Sequence, residues 1–181
     1  VTFYDPETGL FGTLGHGVSD GAGSLLQMTQ GEAYEASVIS VKKGKTGDPG
    51  QLKGSADGTG AFGQLLRNTP QGVFGTTNYG WPGEAVPTAD YGEILPGPVQ
   101  IRCQINGGQP WEYSAEILKI YPETRTDGRN FLLKITDPDL LQCTGGIVQG
   151  MSGSPIIQDG KLVGAVTHVL VNDPTRGYGI Y

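Results

Sequence analysis

The chain has 181 residues, of which 31 are glycine and 12 are proline, and its formal net charge at pH 7 is −6. This glycine and proline content predicts many tight turns between short strands and few long helices. The acidic balance disfavours nucleic acid and anionic membrane surfaces as main partners, because both attract basic patches. The sequence also lacks the run of about 18 apolar residues that would predict a transmembrane helix.

Apolar and alternating segments between turn signals predict short strands along the whole chain, with an all-β fold of barrel type. Residues 44–50 are expected to form a polar loop. The glycine- and proline-rich segment 78–98 is expected to connect two halves of the fold or to face a substrate. The predicted strands lie at residues 2–4, 11–16, 32–43, 61–68 (a strand or a turn), 72–77, 99–105, 111–121, 130–136 and 162–171.

The six residues from Gly150 to Pro155, with the sequence G-M-S-G-S-P, have the pattern in which many serine proteases present a nucleophile. Glycines on either side of Ser152 allow a sharp turn and leave room for a substrate carbonyl. In such a turn the amides of Gly150 and Ser152 can converge on one point and form an oxyanion hole. The alternative interpretation is a plain hairpin turn before the apolar pair at 156–157.

The chain offers only two histidines as a general base for such a serine. His16 lies between Gly15 and Gly17 at the end of an apolar run, where it would be open to a substrate. A histidine suits the role because its unperturbed pKa is near neutrality. His168 follows the nucleophile on an apolar segment, and we expect it to be packed or to line the substrate site. It is the alternative base, because the return strand of a hairpin could bring it close to Ser152.

Segments at both ends of the chain resemble the peptidase domain of the stage IV sporulation protein B family. They are residues 2–8, 12–20, 150–156, 167–169 and 171–174, and the resemblance extends over essentially the whole chain. It implies a serine endopeptidase that hydrolyses peptide bonds through an acyl-enzyme and needs no metal or organic cofactor. It also implies a chymotrypsin-like double β-barrel, with sub-barrels of about 1–85 and 95–181 and the active site between them.

The resemblance further implies a biological setting. Family members are made by endospore-forming bacteria, cross the forespore membrane, cleave themselves and cleave a regulatory membrane protein, which releases a sigma-K-activating protease. The expected location is the space between the forespore and mother-cell membranes. Members usually carry a PDZ domain upstream, and this chain has no room for one. It begins at Val1 without a signal segment, which indicates a trimmed or processed fragment.

A catalytic triad also needs a carboxylate that orients the histidine. The family's motif, in which the acid precedes the nucleophile by a short segment, favours Asp137 at the end of the apolar segment 131–135. Its alternative role is to end the strand and cap the turn before Pro138. In chymotrypsin-like enzymes the acid usually lies in the first barrel with the histidine. The other carboxylates in suitable positions are Asp20, Asp90, Asp127 and Asp139.

The sequence does not favour a zinc site, a dinucleotide-binding motif or an esterase. Cys103 and Cys143 lack CxxC spacing and are expected to be unpaired strand cysteines, and a zinc site built from them and both histidines would have its ligands scattered over the chain. The G-x-G-x-x-G match at 58–63 has no apolar strand before it. An esterase would need a strand–elbow–helix context. The remaining alternative is a peptide-binding or scaffold module that keeps the barrels but does not cleave.

Overall fold

The computed structural model describes the backbone of all 181 residues and every side chain except those of Asp57 and Thr59. The described chain is 50% strand and 6% helix, which makes it an all-β protein. Its helical parts are a single 3₁₀ turn at Tyr91–Glu93 and the helix α1 at Pro138–Thr144. The strands are β1 Phe3–Tyr4, β2 Leu10–Thr13, β3 Glu32–Lys42, β4 Gln51–Thr69, β5 Gly72–Thr76, β6 Gly97–Cys103, β7 Trp111–Ile120, β8 Phe131–Ile135, β9 Pro155–Gln158, β10 Lys161–Leu170 and β11 Asp173–Ile180.

The first half of the chain forms an open antiparallel sheet with the strand order β1-β2-β5-β4-β3. The ring of Phe11 is buried in it, and this ring requires glycine at two neighbouring positions. A Cβ atom at Gly63 would lie 2.8 Å from the Phe11 ring, and one at Gly75 would lie 2.5 Å from it. The glycines of this half therefore make room for the core as well as for turns.

The second half forms a closed six-stranded barrel with the strand order β10-β11-β8-β7-β6-β9. On β6 and β8 every second residue points inward, as the period of two in a β-strand requires. On β8, for example, Phe131, Leu133 and Ile135 are buried. The core that they share is filled mainly by branched aliphatic side chains from the facing strands, among them Ile101, Ile117, Ile156, Val163 and Val166.

These two sheets confirm the predicted all-β, chymotrypsin-like double-barrel fold, in which the first unit is a curled half-barrel. The first sheet uses residues 3–76 and the barrel uses residues 97–180, while the sub-barrel limits 1–85 and 95–181 stay a prediction. Segment 78–98 does connect the two units. No helix within the described residues is long and apolar enough to cross a bilayer.

The largest differences from the sequence-based prediction concern β4, β11 and α1. In addition, β2 ends at Thr13, so that His16 follows this strand, whereas the prediction of a strand at 11–16 placed His16 on it. Strand β4 is 19 residues long, because its polar, glycine-rich first part pairs with β3 before its second part pairs with β5. Strand β11 was not predicted, since its sequence D-P-T-R-G-Y-G-I contains two glycines and a proline. Helix α1 was also missed, although Asp137 followed by Pro138 is a pattern typical of a helix start.

Candidate active site

The turn that carries Ser152 spans residues 148–154 and joins α1 to β9. Two backbone hydrogen bonds close it: the Met151 amide donates to the Val148 carbonyl at 3.1 Å, and the Ser154 amide donates to the Met151 carbonyl at 3.0 Å. The buried Ser154 hydroxyl donates to the same Met151 carbonyl at 2.7 Å. Because these bonds fix the backbone on both sides, Ser152 is held at the apex of a rigid turn.

Two backbone amides in this turn are left without an acceptor. Within the described part of the chain, neither the amide of Gly150 nor that of Ser152 donates a hydrogen bond. Gly150 has a φ of 98°, in the left-handed region that favours glycine. Free amides beside a candidate nucleophile are what an oxyanion hole requires. These are the two amides predicted from the sequence.

The Ser152 side chain is half-buried, and its hydroxyl donates a hydrogen bond of 3.0 Å to the carbonyl of Thr167 on β10. No hydrogen bond joins Ser152 to His16 among the residues that the structure describes. A rotation of the Ser152 side chain would therefore have to release the Thr167 carbonyl before the hydroxyl could donate to a histidine.

The segment before His16 lies directly against the nucleophile turn. Gly153, with a φ of 84°, packs so closely that a Cβ atom there would lie 2.5 Å from the Leu14 nitrogen. The Thr2 hydroxyl adds a hydrogen bond of 2.7 Å to the Gly153 carbonyl. Leu14 has a φ of 70°, which is uncommon for a residue other than glycine and concentrates at functional sites. The segment that follows β2 therefore packs against the turn that carries Ser152.

His16 lies two residues after Leu14, which makes the contact with Gly153. A Cβ atom at Gly15 would lie 2.8 Å from Thr167 Cγ2, so the chain passes close to the same strand that accepts the Ser152 hydroxyl. The imidazole of His16 is half-buried, and its Nδ1 lies 2.9 Å from the carbonyl of Gly17. When Nδ1–H donates to this carbonyl, the lone pair is on Nε2, which is the nitrogen that a general base uses.

His168 on β10 lies beside His16, with ring centres 5.6 Å apart and ring planes inclined by 42°. Its Nδ1 is buried and has no hydrogen-bond partner among the described residues. Burial lowers the pKa of His168, and the positive charge of Arg129 and the neighbouring His16 lower it further, while Asp127 opposes them. The sequence predicts a packed or site-lining residue, and the structure places His168 in a cleft that it shares with His16.

The two imidazoles share a cleft of about 420 Å³, whose other walls include Leu25, Pro70 and Asp127. Asp127 is held by a bidentate pair with Arg125, with N–O distances of 2.8 and 2.6 Å. This pair lowers the pKa of Asp127 to about 2, so that its carboxylate is ionised at neutral pH. The cleft therefore combines two imidazoles, one fixed carboxylate and an apolar wall.

The carboxylate of Asp137 is engaged elsewhere, as the N-cap of α1. Its Oδ1 accepts hydrogen bonds from the amides of Asp139 and Leu140, both at 3.0 Å, and its Oδ2 accepts one from Ser114 at 3.2 Å. Within the described residues, no hydrogen bond connects it to His16. The structure thus brings His16, Ser152 and Gly150 into one region and gives Asp137 the capping role weighed from the sequence. Its assignment as the triad acid stays a prediction.

The remaining candidates occupy other positions. Asp20 accepts two backbone amides within its own loop, and Asp90 caps the 3₁₀ turn. Cys103 and Cys143 are unpaired thiols, but Cys143 lies on α1 and not on a strand. Of the five carboxylates considered from the sequence, only Asp127 lines the cleft of the two histidines. The sequence could not single out Asp127, because the cleft brings its loop together with His16 and His168, which are distant in the chain.

A comparison with protein-family models matches residues 1–181 to the family described as SpoIVB peptidase S55. No match is found among curated proteins or among solved structures. The family match covers the nucleophile turn, His16 and the strands that position them. The chain therefore belongs to the SpoIVB peptidase S55 family, and it is a peptidase that acts on protein substrates.

Proposed function

We propose that this peptidase is a serine endopeptidase in which Ser152 is the nucleophile and His16 the general base. One observation carries the proposal. The turn at 148–154 holds a hydroxyl beside the amides of Gly150 and Ser152, neither of which donates to another described residue. A nucleophile next to two free, fixed donors is the arrangement that acyl transfer needs.

The reaction begins when Ser152 Oγ attacks the scissile carbonyl carbon. His16 Nε2 takes the hydroxyl proton as the C–O bond forms, and the negative charge moves to the carbonyl oxygen. The amides of Gly150 and Ser152 donate to that oxygen, each with an effect of roughly 3 kcal/mol on the barrier in comparable sites. The imidazolium then protonates the leaving amine, and a water molecule repeats the sequence to release the acyl group from Ser152.

The carbonyl of Gly17 takes over part of what a triad acid does, because it accepts the Nδ1 proton of His16 and fixes the tautomer. Asp137 stays the acid that the family resemblance favours. To reach His16 it would have to give up three backbone amides and uncap α1. The geometry therefore supports a Ser152–His16 pair whose imidazole is oriented by the backbone.

A peptide substrate has a natural place beside β10. The backbone of Val166 exchanges two hydrogen bonds with the nucleophile turn, since Gly153 donates to its carbonyl at 2.8 Å and its amide donates to Ser154 at 2.9 Å. The next carbonyl along β10, that of Thr167, accepts the Ser152 hydroxyl in this conformation. When Ser152 turns to its substrate, that carbonyl is free to accept an amide of an extended peptide.

The family resemblance supports a more specific role. We propose that the protein cleaves itself and a membrane-associated regulator of an intramembrane protease, in the signalling that activates sigma-K during sporulation. We place it in the space between the forespore and mother-cell membranes, with a PDZ domain upstream in the full-length protein. The net charge of −6 suits this role, because it disfavours direct binding to anionic lipid and leaves membrane contact to other segments.

Covalent labelling by a fluorophosphonate tests the chemistry directly. We expect the wild-type chain to be labelled on Ser152, and Ser152→Ala to abolish labelling. Ser19→Ala is the control, because Ser19 lines the cleft of the two histidines without a place in the mechanism, and its loss should leave labelling unchanged. A wild-type chain that is folded but never labelled would instead support the non-catalytic peptide-binding module.

A further inference from the structure

The two histidines of this chain come from opposite ends of the sequence and meet in one cleft. Their ring centres are 5.6 Å apart. In zinc sites the Zn–N distance is about 2.0–2.1 Å, which puts each ring centre roughly 3 Å from the ion. Two such ligands around a tetrahedral ion have ring centres about 5–6 Å apart. The observed separation fits a pair of imidazoles that chelate one ion.

The nitrogens needed for such a pair are available. Neither Nε2 atom has a hydrogen-bond partner in the described part of the chain, and neither is among its buried unpartnered atoms. Both Nε2 atoms are therefore at least partly exposed to solvent, and both histidines line the cleft. The Nδ1 of His16 lies 2.9 Å from the Gly17 carbonyl. Histidines that bind metals usually donate their other N–H to a carbonyl or a carboxylate, which orients the ring.

The charges around the cleft partly favour a cation and partly oppose it. The Asp127 carboxylate lines the cleft and favours a cation, but Arg125 neutralises much of its charge. The positive charge of Arg129, which acts on His168, opposes a cation there. No group of three or more His, Cys, Asp or Glu side chains among the described residues is arranged to hold a metal ion. Two imidazoles with water in the other positions make an exchangeable site and not a permanent one.

We propose that His16 and His168 together bind one divalent ion of the Zn²⁺ class, and that the bound ion inhibits the peptidase. Imidazole nitrogen is a preferred ligand for Zn²⁺, whereas Mg²⁺ and Ca²⁺ prefer oxygen and should not bind here. The inhibition follows because the ion occupies Nε2 of His16, which can then no longer accept the proton of Ser152. This second step rests on the proposed function, but the binding itself does not.

Titration of ZnCl₂ into the Ser152→Ala chain at neutral pH tests the binding without any catalysis. Calorimetry should show one Zn²⁺ per chain, and the melting temperature should rise as the ion binds the folded state. His16→Gln and His168→Gln, each made in that background, should weaken binding by roughly tenfold or more. Circular dichroism on each variant separates a lost ligand from a lost fold.

Two controls make the binding result decisive. Cys143→Ser should leave binding unchanged, because that half-buried thiol lies on α1 and does not line the cleft of the two histidines. MgCl₂ in place of ZnCl₂ should give no heat and no thermal shift. The absence of Zn²⁺ binding, binding that survives His168→Gln, or binding that disappears with Cys143→Ser would each overturn the proposed site.

Inhibition is measured separately on the active chain. Zn²⁺ should lower peptide hydrolysis over the concentration range in which it binds, and a chelator should restore the rate. If Zn²⁺ binds through both histidines and hydrolysis continues unchanged, the inhibition is wrong and His16 is not the base. If Zn²⁺ does not bind while Ser152 still reacts with a fluorophosphonate, the metal site is wrong and the proposed function stands.

Discussion

The hydroxyl of Ser152 donates a hydrogen bond of 3.0 Å to the carbonyl of Thr167, and none to His16. The amides that would stabilise an oxyanion are nevertheless free beside it. The proposed oxyanion donors are therefore free, while the proposed nucleophile still donates its hydrogen bond to a carbonyl. Ser152 must release the Thr167 carbonyl before its hydroxyl can donate to an imidazole, and hydrogen bonds of this kind often form only once substrate is bound.

Ser152→Ala should abolish peptide hydrolysis, with kcat reduced by several orders of magnitude. The melting temperature should change little, because the variant loses a single hydrogen bond worth about 1 kcal/mol. Ser154→Ala is the comparison, since its buried hydroxyl bonds to the Met151 carbonyl and supports the turn. It should lower stability by about 1–3 kcal/mol and still react with a fluorophosphonate. Full hydrolysis by Ser152→Ala would place the nucleophile elsewhere.

His16→Gln should remove activity, whereas His168→Gln should retain a measurable kcat. The reason is that the Gly17 carbonyl orients Nδ1 of His16 and leaves Nε2 as the base, whereas Nδ1 of His168 has no hydrogen-bond partner among the described residues. Because the base must be neutral, wild-type activity should rise with pH through the neutral range. A pH–rate profile of the wild type and of His168→Gln checks this. An inactive His168 variant beside an active His16 variant would reverse the assignment.

The glycines of the site provide a test of packing that does not depend on the mechanism. Gly153→Ala should destabilise the chain strongly, because its φ is 84° and the new Cβ would lie 2.5 Å from the Leu14 nitrogen. Gly47→Ala is the matched control: its φ is 77°, but nothing lies within 4 Å of the position of its Cβ. The control should lose only the cost of the left-handed backbone, roughly 1–2 kcal/mol. Equal losses in urea unfolding would contradict the proposed contact between the two halves.

The turn around Ser152, with its two unpaired amides, and the all-β fold could be predicted from the sequence because each rests on local chemistry. Gly150 and Gly153 mark a turn whatever surrounds them, and alternating apolar residues mark a strand. The meeting of His16 with His168 could not be predicted, since it depends on how β2 of one sheet lies against β10 of the other. Strand β11 was missed for a related reason. Asp173, Pro174 and two glycines favour a loop there, and the segment forms a strand because β8 and β10 offer edges on both sides.

The thiol of Cys103 should be inert in the folded protein. Burial raises its pKa to about 12, with a smaller contribution from the charge of Asp137. At pH 8 the native chain should therefore expose only Cys143 to a disulfide reagent, and both cysteines should react after unfolding. Since the folded pKa is raised, the stabilising effect of the neutral thiol is complete below the unfolded pKa and is lost as pH rises toward 12. Rapid modification of Cys103 at pH 8 would contradict its burial.

The family resemblance and the geometry predict different roles for Asp137. As the N-cap of α1 its Oδ1 accepts two helix amides, and Asn caps a helix almost as well as Asp. Its Oδ2 also accepts the Ser114 amide, which the NH₂ group of Asn cannot do. The geometry predicts that Asp137→Asn keeps a near-normal kcat and loses about 1–3 kcal/mol of stability, because the Ser114 amide loses its acceptor. A triad acid behaves in the opposite way. Its replacement by Asn favours the wrong histidine tautomer and lowers kcat by on the order of 10⁴, with little change in melting temperature.

The decisive measurement is kcat and melting temperature for Asp137→Asn, Asp127→Asn and Asp20→Asn under identical conditions. Asp127 is the carboxylate that lines the cleft of the two histidines, and Asp20 is bonded within its own loop, so it serves as the control. A large fall in kcat for Asp137→Asn alone, with an unchanged melting temperature, would establish Asp137 as the acid. The helix cap would then have to open for catalysis, because the three amides that it now binds would compete with His16 for the same carboxylate.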